Sequence, residues 1–177
     1  MTELTDEHLV TQAKTGDAAA FKELVERHEG RVAGVVKSML GDNPEALDVG
    51  QEVFIRFYES LDKFRGESLV STYLIRIAIN LSLNEIKRRK RRNFLLRPME
   101  ARDEDKAGHE VHDLKEVIHY EIGRLEIEFQ SVVTLRMIEG YSSEETAEIL
   151  GIPLGTVLSR LSRAQNKLRT ILTKRLG

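Results

Sequence analysis

The stretch "ETAEILGIPLGTVLSRLSRAQNKL", Glu145 to Leu168, contains two helix-like pieces separated by Gly-Ile-Pro. Just upstream, "SSEE" at Ser142 to Glu145 has capping-box spacing, so a helix begins there. Gly151 ends it and Pro153 prevents its continuation. In the second piece Val157, Leu161, Ala164 and Leu168 fall on one face at 3.6-residue spacing. Ser159, Ser162, Arg163 and Asn166 fall opposite, with Thr156, Arg160 and Lys167 beside them. Ala147 is small where a second helix can cross closely. The layout is a helix-turn-helix whose second helix has a polar, basic outer face. A plain helical hairpin shares the spacing but usually mixes signs on its solvated face. Here no acid follows Glu148, and Ile149 to Gly177 carries 6 basic residues. A surface that meets phosphates avoids carboxylates.

The rest of the 177-residue chain repeats the helical period and contains no good alternating strand. The expected class is all-α, in two small helical domains joined by a flexible linker. Thr5 opens a first helix that ends near Gly16; Asp17 caps a second that ends at Gly41. Asn43 and Pro44 start a third that runs to about Leu61, and a fourth runs from about Ser71 into "KRRKRR", Lys87 to Arg92. The charged, weakly periodic segment 93–113 is expected to be the linker between domains 1–92 and 114–177. Helices are expected at about 114–123, 126–138, 142–150 and 154–172.

Net charge is −2, but its distribution is uneven. Residues 1–86 carry 9 basic and 15 acidic residues, the run 87–92 is entirely basic, and residues 93–128 carry 5 basic and 10 acidic. Two basic patches far apart on an otherwise acidic protein point to two polyanion contacts. There is no apolar run long enough for a membrane span and no signal-peptide pattern, so a cytoplasmic protein is expected. With no Cys there is no disulfide, thiolate zinc site or thiol switch.

Two surfaces stand out in the first half. On the third helix Ala46, Val53, Phe54, Phe57 and Leu61 form the expected core face. Ile55 lies at the centre of the opposite face, among Asp48, Glu52, Arg56 and Glu59, with Gln51 at its edge. An Ile ringed by charge is compatible with plain exposure and with a protein-binding face. On the fourth helix Tyr73, Arg76, Asn80, Asn84 and Lys87 form a polar stripe on an otherwise apolar cylinder. An aromatic ring, two amides and basic ends suit unstacked bases and phosphates; a stripe facing water has the same spacing. His109, His112 and His119, near Glu110 and Glu116, have spacing a metal could use, but a surface cluster in a charged linker is the plainer reading. No phosphate loop, nucleophile motif or catalytic carboxylate pair is present, so neither an enzyme nor a cofactor or metal site is expected.

Taken together these stretches resemble the extracytoplasmic-function (group IV) sigma factors of bacterial RNA polymerase. The resemblance rests on "GDAAAFKELVERH" (Gly16 to His28), "DVGQEVFIRFYESLDKFRG" (Asp48 to Gly66), "STYLIRIAIN" (Ser71 to Asn80) with basic residues following, and "LRMIEGYSSEETAEILGIPLGTVLSRLSRA" (Leu135 to Ala164). It implies a first domain that binds the polymerase clamp helices and melts the minus-ten element. It implies a second that sits on the polymerase flap and reads the minus-thirty-five element as duplex. By resemblance, Asp48, Gln51, Glu52, Ile55, Arg56 and Glu59 form the clamp interface. The minus-ten reader is the loop Phe64 to Thr72, with Phe64, Ser68 and Thr72, and the stripe Tyr73, Arg76, Asn80, Asn84, Lys87 and Arg88. The minus-thirty-five reader is Thr156, Leu158, Ser159, Arg160, Ser162, Arg163 and Lys167. Tyr73 stands where the family usually has Trp, Leu158 where a basic residue is common, Ser162 where some members have an aromatic, and Glu126 where Pro is common. A dedicated anti-sigma protein is a further partner the resemblance implies, and no sensory domain is expected beyond Gly177. The competing reading is a stand-alone helix-turn-helix regulator, which accounts for the C-terminal element but not for the Ile55 face or the fourth-helix stripe. The linker is compatible with a closed arrangement, basic surfaces on acidic ones, and with an open one.

Overall fold

In the computed structural model, which describes residues 4–96 and 114–176, each early helix starts on a side-chain cap. The Thr5 hydroxyl accepts from the His8 amide and opens α1 (Asp6–Lys14). The Asp17 carboxylate accepts from the amides of Ala19 at 2.9 Å and Ala20 at 3.2 Å and opens α2 (Ala18–Leu40). Gly41 closes α2 at φ 84°, a value L side chains rarely adopt. The Asn43 amide oxygen accepts from Ala46 N–H at 2.9 Å, with Pro44 at the first position of α3 (Pro44–Glu59). A 3-10 turn, Leu61–Lys63, leads through the loop to α4 (Val70–Leu96).

Helices α1 to α4 pack around Leu24, Val35, Phe57, Leu74 and Ile79, all fully buried. Phe54, expected in the core, is only half-buried. Helix α4 continues through the basic run and four residues past it, so Asn93 to Leu96 are helical rather than linker. Glu85 explains how a helix survives six consecutive cations. Its buried carboxylate takes Arg88 at 2.8 Å and Arg89 at 3.2 Å, each one turn further on. Arg89 also donates to the Leu40 carbonyl at 3.0 Å, tying α4 to the end of α2. Burial opposes ionisation of Glu85, but the hydrogen bonds and charge of Arg88 and Arg89 prevail and hold its carboxyl below its ordinary value. The expected linker body, residues 97–113, lies outside the described residues, as do His109 and His112; His119 is exposed.

In the second half α5 (Leu114–Arg124) and α6 (Ile127–Val133) are joined by the Gln130 side chain, which donates to the carbonyls of Gly123 at 2.9 Å and Leu125 at 2.8 Å. The helix expected to run regularly to residue 138 changes at Val133. Thr134–Ile138 is π-helical, with Glu139 N–H donating to the Thr134 carbonyl at 2.9 Å. Helix α7 (Ser143–Leu150) has both arms of its capping box, Glu145 N–H to the Ser142 hydroxyl at 3.0 Å and Ser142 N–H to the Glu145 carboxylate at 2.7 Å. Gly151 ends α7 in the left-handed region at φ 64°. Helix α8 (Leu154–Leu176) follows, four residues longer than expected. Ile122, Leu125, Phe129, Val133, Ala164 and Leu168 form the core of this half.

The two halves are in contact. Leu135 and Ile149 belong to the same buried cluster as the core of α1 to α4, with Tyr141 and Leu150 packed against it. The arrangement is closed, and its contact is apolar at the centre rather than basic on acidic.

Candidate nucleic-acid and partner interfaces

Helix α3 turns its core residues inward and exposes the opposite face. Ile55 is 52% exposed, Asp48, Gln51, Arg56 and Glu59 are exposed beside it, and Glu52 is half-buried. Arg56 donates to Glu52 at 2.6 Å, one turn back. Glu52, through its hydrogen bond and charge, strengthens the proton affinity of the Arg56 guanidinium. Two neighbours of Ile55 escaped the sequence reading. Leu47 and Tyr58 are each 60% exposed, and with Gln51 they extend the stripe 47–51–55–58 at spacings of four, four and three. That spacing was the available signal. Neither Leu47 nor Tyr58 was singled out in the sequence. A single exposed Ile is ordinary; three large apolar residues on one helical stripe form an exposed apolar patch.

The loop before α4 and the start of that helix enclose a cavity of about 450 Å³ lined by Lys63, Phe64, Arg65, Glu67, Ser68, Tyr73, Arg76 and Glu148. Phe64 does not offer an open ring. It is 8% exposed and packs against Phe57 and Tyr73, with ring centroids 6.1 and 5.1 Å away. Phe64 lines the cavity while its ring packs on the core behind the loop. Tyr73 is half-buried, and its hydroxyl donates to Ser60 at 3.1 Å, which holds the ring upright. Ser68 and Thr72 are half-buried, and Asn80, Asn84, Lys87 and Arg88 are exposed along α4. Lys14, which the sequence did not single out, donates to the Phe64 carbonyl at 2.6 Å and pins the loop to α1. A contact spanning fifty residues of chain leaves no local signal in the sequence.

Arg76 lies at the junction of the halves. Its Nε donates to the Ile149 carbonyl at 3.1 Å and its Nη2 to the Glu148 carbonyl at 2.8 Å. These are carbonyls of the last turn of α7, where a helix carries partial negative charge; the Glu148 carbonyl also accepts from Gly151 N–H at 3.3 Å.

On α8 three of the four expected inward residues, Val157, Ala164 and Leu168, are buried, and Leu161 is half-buried. Leu158, Ser159, Ser162, Arg163 and Asn166 are exposed on the far side, with Thr156 and Arg160 half-buried. Lys167 departs from the expected role. Its ammonium pairs with the Glu126 carboxylate and sits 5.1 Å from the centre of the Phe129 ring. The hydrogen bond from Lys167 in turn lowers the proton affinity of Glu126. The Glu that replaces a common Pro thus pairs with the lysine, which stays exposed beside α6.

Comparison with known proteins agrees with this layout. Residues 24–92 match the sigma-70 region 2 family and residues 115–168 the sigma-70 region 4 family. The chain is 36% identical to the ECF RNA polymerase sigma-E factor of Haemophilus influenzae, over 96% of this chain and 98% of that protein. It is 33% identical to the RNA polymerase sigma-H factor of Pseudomonas aeruginosa, over 93% and 92% respectively. The solved structure of CnrH in complex with the cytosolic domain of CnrY superposes with a TM-score of 0.71 at 27% identity, over 96% of this chain and 97% of that one. With both sigma-70 regions in order and relatives matched along nearly their whole length, the chain belongs to the extracytoplasmic-function sigma factors, proteins that direct RNA polymerase to specific promoters.

Proposed function

We propose that this sigma factor binds core RNA polymerase through the exposed face of α3, reads the minus-thirty-five element as duplex with α8, and melts the minus-ten element with α4 and the loop before it. The observation that carries the reading is the outer face of α8. Leu158, Ser159, Ser162 and Arg163 are all exposed there, on a helix with no acid along its length. A helix of this width fits the major groove, where hydroxyls and guanidinium groups meet base edges and phosphates. Arg163 and Arg160 supply the phosphate attraction, and Leu158 is an apolar surface for a thymine methyl or a sugar. Lys167 is left out of this set because Glu126 holds it.

The downstream reader works on unpaired DNA. Once Glu148 of α7 withdraws, the loop cavity has the mixed lining that a flipped base requires, with Tyr73 and Arg76 among its residues. Unstacking a base costs a few kcal/mol, about 1–3 of which aromatic stacking returns. Each further base-pair step costs about 1.4 kcal/mol to open. The free protein therefore does not melt a promoter, and contacts with polymerase at Leu47, Ile55 and Tyr58 supply the remainder. An anti-sigma protein that covers these surfaces is the expected inhibitor, a reading supported by the occurrence of the similar protein CnrH in complex with the cytosolic domain of CnrY.

Transcription in vitro tests the reading. The protein is mixed with bacterial core polymerase lacking any sigma factor and with fragmented DNA of the source organism, and transcript starts are mapped. Starts that share an upstream element and require the protein are expected. No binding to core polymerase and no starts, with duplex binding intact, would move the assignment to a stand-alone helix-turn-helix regulator.

A further inference from the structure

We infer that the free chain masks its own minus-ten surface. The end of α7 sits on Arg76 and on the rim of the loop cavity, so the base-reading pocket is partly covered until the two halves part. This inference rests on the assignment of that cavity as the base reader and adds its regulation.

Four observations converge on it. Arg76, the cation at the mouth of the cavity, has both its Nε and an Nη occupied by the Ile149 and Glu148 carbonyls. Glu148 also lines the cavity, so the pocket meant for a nucleotide carries an acidic residue of the other half. The contact is not a glancing one. Ile149 is 2% exposed and, with Leu135, joins the buried cluster of α1 to α4. A second polar contact lies away from the pocket: the Ser38 hydroxyl on α2 donates to the Glu139 carboxylate. Gly34, one turn earlier on α2, leaves little room there, since a Cβ on it would lie 3.3 Å from Glu139 Oε2.

The chemistry suits a reversible mask. A guanidinium fork donates to two carbonyls at a helix end, and the partial negative charge of that end imitates a phosphate. DNA must displace these acceptors to reach Arg76. Asn80 and Asn84 stay exposed, so the mask covers the pocket end of the stripe and leaves its far end open. Leu158, Ser159, Ser162 and Arg163 of α8 stay exposed with the contact in place. The free protein is therefore expected to bind duplex normally while its single-strand reader is partly covered.

The test uses the full chain and a fluorescent single-stranded oligonucleotide carrying the non-template strand of a minus-ten element mapped by the transcription experiment. Gly34→Glu drives bulk and like charge against Glu139 without removing a DNA-contacting group, and improves helix propensity in α2. It should tighten oligonucleotide binding at least fivefold, and adding Asn80→Ala should cancel the gain. A lock provides the converse. The chain has no Cys, so Ser38→Cys with Glu139→Cys gives a unique pair for a short bismaleimide. Cross-linking in the free chain should be efficient and should lower binding at least tenfold relative to the same protein blocked with N-ethylmaleimide. Absence of the cross-link, or equal binding by locked and blocked protein, would overturn the mask. If wild type and Gly34→Glu bind equally, with both dependent on Asn80, the mask fails while the base-reader assignment stands. If no form binds despite efficient cross-linking, the base-reader assignment has failed and the mask falls with it.

Discussion

Ile55, Arg163 and Asn80 are single residues whose consequences are separable. Ile55 is exposed and makes no core contact, so Ile55→Glu should change stability by no more than about 0.5 kcal/mol. In an apolar contact with polymerase, the buried charge should weaken binding by tenfold or more, about 1.4 kcal/mol. A binding titration of core polymerase with the folded variant measures this, and unchanged affinity would remove the α3 face from the polymerase contact. Arg163 is exposed on the acid-free helix. Arg163→Ala should weaken duplex binding across sequences and reduce the slope of log affinity against log salt by about 1. An unaltered slope would strike it from the phosphate contacts. Asn80→Ala should slow open-complex formation more than initial promoter binding, as permanganate footprinting alongside filter binding can show. Equal losses in both would undo a melting role for the stripe.

At the scale of elements, α4 and the α7–α8 turn each hold one residue that decides whether the element forms. Glu85 is the buried acid under the basic run. Its folded pKa lies below its ordinary value, so the stability it supplies is present above the unfolded value of about 4.3 and is lost as pH falls through the folded value. Glu85→Gln should cost about 1–2 kcal/mol at pH 7, and the difference from wild type should narrow below about pH 4. Urea titrations at the two pH values check both signs. Gly151 occupies the left-handed region with open space around its Cα. Gly151→Ala meets no clash, so its cost is conformational, about 1 kcal/mol. Hydrogen exchange in α7 and α8 should report it most strongly.

Caps and turns were legible from sequence because their causes are local. Thr5, Asp17, Asn43, Ser142 and Gly151 all act where their spacing puts them. Element ends set by longer-range contacts were less so. Helix α4 outruns the expected boundary to Leu96, and the π-helical turn at Thr134–Ile138 has no sequence marker. Phe64 and Lys167 illustrate the same limit at the candidate sites. An aromatic in a loop and a lysine on a basic helix both read as free surface groups, and only packing against Phe57 and pairing with Glu126 show that each already has a partner.

At the scale of the whole molecule the two halves behave as one body in the free chain. The apolar contact through Leu135 and Ile149, and the polar ones through Arg76 and Ser38, join residues seventy to a hundred positions apart. Polymerase that holds the halves apart would at once free the loop cavity and Arg76, coupling recruitment to promoter opening. A protein that stabilised the closed contact would do the reverse.

Sequence alone determined the helices, their caps, the helix-turn-helix and the separation of basic patches, because periodicity, capping chemistry and net charge act over a few residues. It also carried the family, since four motifs in a fixed order along one chain rarely arise together in an unrelated fold. Tertiary structure decided which exposed apolar residues share a stripe, which cations are already paired and how the halves meet. Those outcomes depend on contacts between residues far apart in the chain, where the energy lies in complementary shape and in carbonyls at a helix end rather than in any local pattern.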